Sequence, residues 1–208
     1  QEYKKMLLNL RLRTKLFLLA LGPILLLAVL LSGITVMRLQ HLAAEQETQT
    51  RDSLIRDRQA ELKHYVDIGY NAIKPIYEGS ASMDLAARDQ AVALLQELNY
   101  GTEGYFFGYD TKTVRLFQGN TGDRLGESFY EFQDAAGRYP IRDLVRAAMD
   151  GSHYIHYSFV LGAEKTIVPK VGYALHLPKW DMFFGTALNL DGVERDVQAA
   201  RAEFQERI

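Results

Sequence analysis

Apolar positions along the chain change their period three times, and each change marks a new kind of element. From Leu16 to Met37 there is no charge at all over 22 residues, and Leu, Ile, Val, Ala and Phe fill nearly every position. A helix of that length rises about 33 Å, enough to cross a hydrocarbon core of about 30 Å, and Gly22 and Pro23 are tolerated in such a segment. From Arg38 to about Tyr77 the chain turns charged. Leu54, Leu62, Tyr65, Val66, Gly69, Ala72, Ile73 and Ile76 recur at steps of three and four, which lays one apolar stripe along a long helix. Pro75 predicts an end or kink near Lys74. After Gly79-Ser80-Ala81-Ser82 a second helix is predicted from Met83 or Asp84 to Leu98, with Ala91, Leu94, Leu95 and Leu98 inward.

The period then falls to two. Gly104 to Asp110 reads as a buried aromatic strand that turns through Asp110 to Thr113 into a second strand, Val114 to Gln118. Three more strands are predicted at Tyr154 to Leu161, Thr166 to Leu177 and Trp180 to Leu188. The long connection Gly119 to Gly151 carries a glycine-rich turn (Gly119, Gly122, Gly126), an aromatic patch (Phe129, Tyr130, Phe132) and a helix from Tyr139 to Met149. The apolar face of that helix is Ile141, Leu144, Val145 and Ala148. A last helix shows Val193, Val197, Ala200 and Phe204 at helical spacing. The late strands are joined by short turns and should be antiparallel. The expected fold is α+β, a five-stranded antiparallel sheet with helices on one side.

Charge fixes the orientation. Lys4, Lys5, Arg11, Arg13 and Lys15 precede the apolar run against Glu2 alone, although the whole chain of 208 residues carries a net charge of −2. The basic side should stay in the cytoplasm, and the sheet should lie outside it. The apolar run is too long for a signal peptide and ends in Thr35-Val36-Met37-Arg38 without a small-residue cleavage site, which predicts an uncleaved anchor. The slight overall acidity argues against nucleic acid as a partner. The chain has no cysteine, which suits an oxidising compartment.

Enzyme chemistry finds no support. Gly119-x-x-Gly122-x-x-x-Gly126 lacks the Gly-Lys-Ser/Thr ending of a phosphate loop, and no Gly-x-Ser-x-Gly or His-Glu-x-x-His is present. His153 and His156 fall on opposite faces of a strand and cannot easily share a metal. No catalytic residue, metal or cofactor is expected. What stands out is cationic: Lys170 lies in a strand interior, and Arg115 sits between Val114 and Leu116. Alternation places Phe117 on the face of Arg115, Tyr105 with Phe107, and Tyr157 with Phe159. Aromatic walls, one or two cations and several phenols suit a small carboxylate. The other reading of Lys170 is a protective lysine on an edge strand.

Gly104-Tyr105-Phe106-Phe107-x-Tyr109-Asp110 resembles the first sheet strand of the single Cache domains of bacterial membrane receptors. Leu125-Gly126, Asp134-Ala135-Ala136-Gly137, Pro169-Lys170-x-Gly172-Tyr173, Pro178-x-Trp180 and Gly185-Thr186 follow in order and extend the resemblance over residues 38–198. It implies a PAS-like extracytoplasmic sensor whose pocket lies between sheet and crossover and whose ligands are mostly small organic acids. It carries ligand contact over to Tyr105, Phe107, Tyr157, Lys170 and Tyr173. With Arg115, Phe117, Phe159 and Tyr139, at the start of the crossover helix, these make the candidate ligand set. Two departures stand out. Phe117-Gln118 occupies the place where relatives often carry His-Pro, and Gly108 that of a branched aliphatic.

The organisation expected is a cytoplasmic start (1–15), a membrane helix (16–37), a sensor domain (38–190) and an exit helix (191–208) leading toward a second span beyond this chain. The long helices should pair two chains as a homodimer, as receptors of the resembling family do. Leu10-Arg11-Leu12-Arg13-Thr14-Lys15 resembles the start of sensor histidine kinases, with a chemoreceptor or cyclase output as the other choices. A membrane-tethered structural or protein-binding domain without a small ligand is the alternative function.

Overall fold

A computed structural model of the chain describes residues 12–101, 104–119, 121, 123–161 and 166–206. The basic residues Lys4, Lys5 and Arg11, together with Gly122 of the glycine-rich turn, lie outside the described residues, as do the side chains of Arg13, Lys15 and Phe204. The chain divides into two compact units, residues 1–49 with 200–208, and residues 50–199. In the first, every side chain from residue 20 to 37 is exposed. The helix there is long and apolar enough to cross a membrane.

Helix α1, Leu12–Gly79, is continuous through Pro75. The proline removes the N–H that would bond to the carbonyl of Asn71, so the expected break needs something to override it. Contacts downstream hold the last turn. Ile76 and Tyr77 pack on the core, and the Tyr77 ring meets Trp180 edge-on at 4.9 Å. The Lys179 ammonium donates to the carbonyls of Tyr77, Glu78 and Ser80, each at 3.0 Å. A cation there satisfies C-terminal carbonyls that have no partner within the helix. Along the stripe Leu62, Val66 and Ile73 are fully buried, and Gly69 lets the Phe184 ring approach where a Cβ would sit 3.1 Å away. Ala72 faces solvent instead.

Helix α2 covers Leu85–Glu97, and its N-cap Asp84 accepts from the Ala87 amide. Ala91 and Leu95 are buried, whereas Leu94 points outward and is 44% exposed. A short hairpin follows, β1 (Asn99–Tyr100) with β2 (Gly104–Tyr105), which the aromatic run conceals by continuing straight into β3, Phe107–Asp110. The remaining elements are β4 (Arg115–Gln118), α3 (Pro140–Asp150), β5 (Tyr154–Leu161), β6 (Thr166–Leu177), β7 (Met182–Asn189) and α4 (Asp191–Glu206). Pro178–Trp180 form a 3-10 turn, so the last strand begins at Met182 rather than Trp180.

The main sheet is antiparallel in the order β4-β3-β7-β6-β5. It is covered on both faces, not one. Alternating residues supply both: Phe106, Val171, Tyr173, Leu177 and Phe184 join the layer with α1 and α2. Phe107, Tyr109, Ile155, Ala174 and Phe183 join the layer with α3. Neighbouring aromatics such as Phe106-Phe107 and Phe183-Phe184 cannot share a face, so both faces are apolar and both need cover. From α4, Val193 and Val197 enter the first layer, while Ala200 is exposed.

The crossover is fastened to the free edge of β5 by one carboxylate. Asp134, whose side chain is fully buried, accepts from the amides of Ala136 and Arg138 and from Ser158 on β5 at 3.0 Å, and pairs with the Arg138 guanidinium at 3.1 Å. Burial pushes its carboxyl upward. The three amides and the Arg138 charge outweigh that and hold it below the usual carboxylate range. A depressed folded value contributes stability that is fully present above the unfolded value of about 3.9 and is lost as pH falls through the folded one. Asp134→Asn should therefore lower stability at neutral pH by at least about 1 kcal/mol, because an amide NH2 replaces the oxygen that accepts from the Ser158 amide and the Arg138 guanidinium. Melting curves of both proteins should converge as pH falls below about 3.9. A gap that persists undiminished at lower pH would assign the loss to shape and not to charge.

Candidate functional site

The site begins with an irregularity. β3 pairs with β4 as Gly108↔Phe117 and then Tyr109↔Arg115, so Leu116 is an extra residue. Such a bulge breaks the alternation of faces. Phe117 therefore does not share Arg115's face. It turns toward α1 and α2, fully buried, with its ring over Gly108, where a Cβ would lie only 2.2 Å away. Arg115 turns the other way, beside Tyr109.

Arg115 is 8% exposed, and a cation that deep needs partners. Its Nε and Nη2 donate to the Tyr109 hydroxyl at 3.1 and 2.9 Å, and Nη1 donates to the Asp123 carbonyl at 3.2 Å. The Asp123 carboxylate is 3.7 Å away. The guanidinium lies 3.9 Å from the Phe129 ring centre, and Arg124 lies 4.3 Å from the same ring. The backbone joins in, because Arg115 donates to Glu127 and accepts from Gly126. The start of the crossover is thus folded around this one residue. Burial pushes the Tyr109 phenol upward, and Arg115 pulls only part of that back.

These elements enclose a cavity of about 240 Å³ between the sheet and the crossover. Six of the nine sequence candidates line it: Tyr105, Phe107, Arg115, Tyr157, Phe159 and Lys170. Lys170 stands opposite Tyr157 in register, with its ammonium 5.4 Å from the Phe159 ring centre. Its strand, β6, has β5 on one side and β7 on the other. A protective edge lysine is therefore excluded by position. Burial pushes the Tyr105 and Tyr157 phenols upward, so their hydroxyls stay protonated and can donate.

Three candidates lie elsewhere. Phe117 is in the opposite layer, as described. Tyr173 is there too, paired with Tyr154 at 4.8 Å between ring centres, because it is out of phase with Lys170 by one residue. Tyr139 precedes α3 and lies outside the cavity, with its ring on Arg142 at 3.8 Å and its hydroxyl accepting from Gln133. Conversely, Tyr109, Phe129, Ile141 and Leu144 line the cavity without having been candidates. Tyr109 follows Phe107 by two on one strand, and Ile141 and Leu144 are on the apolar face of α3, so period alone could have found them.

A second cavity of about 510 Å³ adjoins the first. Arg58, Glu61 and Tyr65 of α1 line it together with Tyr100 of the hairpin and Asn189 of β7. Tyr65 stacks on Tyr100 at 3.8 Å, and its hydroxyl donates to Glu61.

The chain is 46% identical over 96% of its length to the methyl-accepting chemotaxis protein CtpM of Pseudomonas aeruginosa, and 26% identical over 95% of its length to the sensor histidine kinase MctS of Rhizobium johnstonii. It spans 36% and 43% of the length of these relatives. Among solved structures, a methyl-accepting chemotaxis protein of Vibrio parahaemolyticus superposes with a TM-score of 0.65 at 29% identity, covering 71% of this chain and 99% of that one. A Cache chemosensory domain solved to explain carboxylic acid recognition gives 0.58 at 19% identity over 67% and 98%; its likeness is one of fold. Residues 54–206 match the family described as Single Cache domain 2, and the chain belongs to that family.

Proposed function

We propose that this chain is the sensing region of a bacterial transmembrane receptor, and that its ligand is a small organic acid held in the cavity beneath the crossover. The observation that carries the reading is that Arg115, under the crossover, and Lys170, across from Tyr157, both line a cavity rich in aromatic rings. A carboxylate between them accepts charge-assisted bonds, and the phenols of Tyr105 and Tyr157 orient it. The recognition of carboxylic acids by a Cache domain of the same fold supports the same ligand class. Occupancy would favour one packing of the sheet against α1 and α4. The 46% identity to a chemotaxis receptor supports a chemoreceptor output over the sensor kinase favoured by the N-terminal residues.

A thermal-shift screen of small organic acids is the first test, followed by calorimetry on the acid that binds. Lys170→Met keeps the stem and deletes the charge. Affinity should fall roughly 10- to 150-fold, equivalent to about 1.5–3 kcal/mol for a bond to a charged group. Arg115 is a poor first target, since its removal also strips the Tyr109 hydroxyl and the crossover of their partner. Unchanged affinity in Lys170→Met would leave Arg115 as the charge partner.

We place the apolar helix in the cytoplasmic membrane with the sheet on the outer side, because five basic residues precede the run. Alkaline phosphatase fused after residue 190 should be active in a Gram-negative host. A full-length but inactive fusion would reverse the orientation.

We also propose a homodimer through the long helices. Ile68 on α1 is 53% exposed on a face turned away from the buried Leu62-Val66 stripe, an apolar side chain available to a partner. Sedimentation of residues 38–208 should show dimers as concentration rises toward the millimolar range or as acid is added. A strict monomer throughout would contradict this.

A further inference from the structure

The two cavities are separated by a wall of four side chains, Tyr105, Phe107, Tyr157 and Lys170, each of which lines both. The wall stands where β3 leaves the sheet. β3 stays paired with β7 only as far as Phe107↔Gly185, whereas β7 runs on beside β6 to Asn189↔Lys170. Before Phe107 the chain departs into the β1–β2 hairpin, so the stretch from Thr186 to Asn189 has a ladder on one side only. The gap left there opens toward Glu61 and Tyr65 of α1 and forms the second cavity.

Three members of the wall are held by the five-stranded sheet. Phe107 is in β3, Tyr157 is in β5 and Lys170 is in β6, all within continuous ladders. Tyr105 belongs to the hairpin. Its carbonyl accepts from the buried Thr186 hydroxyl at 2.7 Å, and its Cβ lies 3.2 Å from where a side chain on Gly119 would begin. With 38% of its surface exposed, its ring is the part of the wall whose loss would join the two spaces without disturbing the main ladder.

We propose that the Tyr105 ring sets the length of acid this receptor accepts, by closing the smaller cavity behind the carboxylate end of the ligand. The inference rests on the carboxylate reading given above. A chain of few carbons fits within about 240 Å³ between Arg115 and Tyr105. A longer one would have to pass the ring into the space along Ala187 and Leu188, which is about 510 Å³.

The test is calorimetry on the whole 208-residue chain in detergent, with acetate, butyrate and hexanoate as probes, for the parent, Tyr105→Ala and Tyr105→Phe. The readout is the ratio of hexanoate to acetate affinity, which cancels a uniform loss of ligand contact. Tyr105→Ala should raise that ratio about tenfold, the gain from burying roughly two more methylenes, while Tyr105→Phe keeps the parent's ratio. The same ratio in Tyr105→Ala and parent overturns the inference and leaves the carboxylate reading intact. A raised ratio in Tyr105→Phe overturns it too, since the hydroxyl and not the ring would then discriminate. Loss of all binding in Tyr105→Ala at an unchanged melting temperature overturns it, since the ring would then be needed to hold an acid of any length. A parent and variants that bind none of the three acids overturn the carboxylate reading and this inference with it. Should Tyr105→Ala fail to fold, Tyr105→Leu is judged by the same ratio.

Discussion

A guanidinium enclosed between a sheet and a loop must find hydrogen-bond acceptors inside the protein, and much of the candidate site follows from how Arg115 does so. Its side chain recruits Tyr109 from the neighbouring strand and the Asp123 carbonyl from the crossover. Its backbone recruits Gly126 and Glu127. The Phe129 ring lies against it at 3.9 Å. The loop is therefore shaped by the charge beneath it, and Arg115 is among the residues that line the cavity left between loop and sheet. The bulge at Leu116 makes this possible, because without it Arg115 and Phe117 would face the same way.

The ladder also brings together the two positions that set this chain apart from the pattern it resembles. Gly108 and Phe117 are direct partners across the ladder, and the Phe117 ring fills the volume that a side chain on Gly108 would need. Phe117 on β4 supplies the bulk at this pair, within the layer that packs on α1 and α2. Position 117 does not line the cavity here. A change there alters packing against the helices more directly than contact with a ligand.

Much of the fold was legible because period is a local property. The order of elements, the antiparallel sheet and the apolar faces of α1 and α3 all follow from spacing. The misreadings came from constraints that act at a distance. Pro75 should stop a helix, yet Lys179 and Trp180, about a hundred residues later, hold the next turn in place. Leu94 has the right spacing for a core position but faces away from the buried pair Ala91 and Leu95. In the site, Lys170 was conspicuous since a charge in an interior strand demands a reason, and Tyr157 lay directly across from it. Phe117 was misplaced because a bulge leaves no mark in residue type. Tyr173 was misplaced although alternation alone puts it out of phase with Lys170.

The raised phenols have a bearing on what such a receptor measures. The described residues lining the cavity include no histidine, and Tyr105, Tyr109 and Tyr157 are all displaced further from neutrality. Their hydroxyls keep the same hydrogens from mildly acidic to mildly alkaline surroundings. Under the carboxylate reading proposed above, a drift of acidity outside the cell would leave the phenols that orient the ligand chemically unaltered.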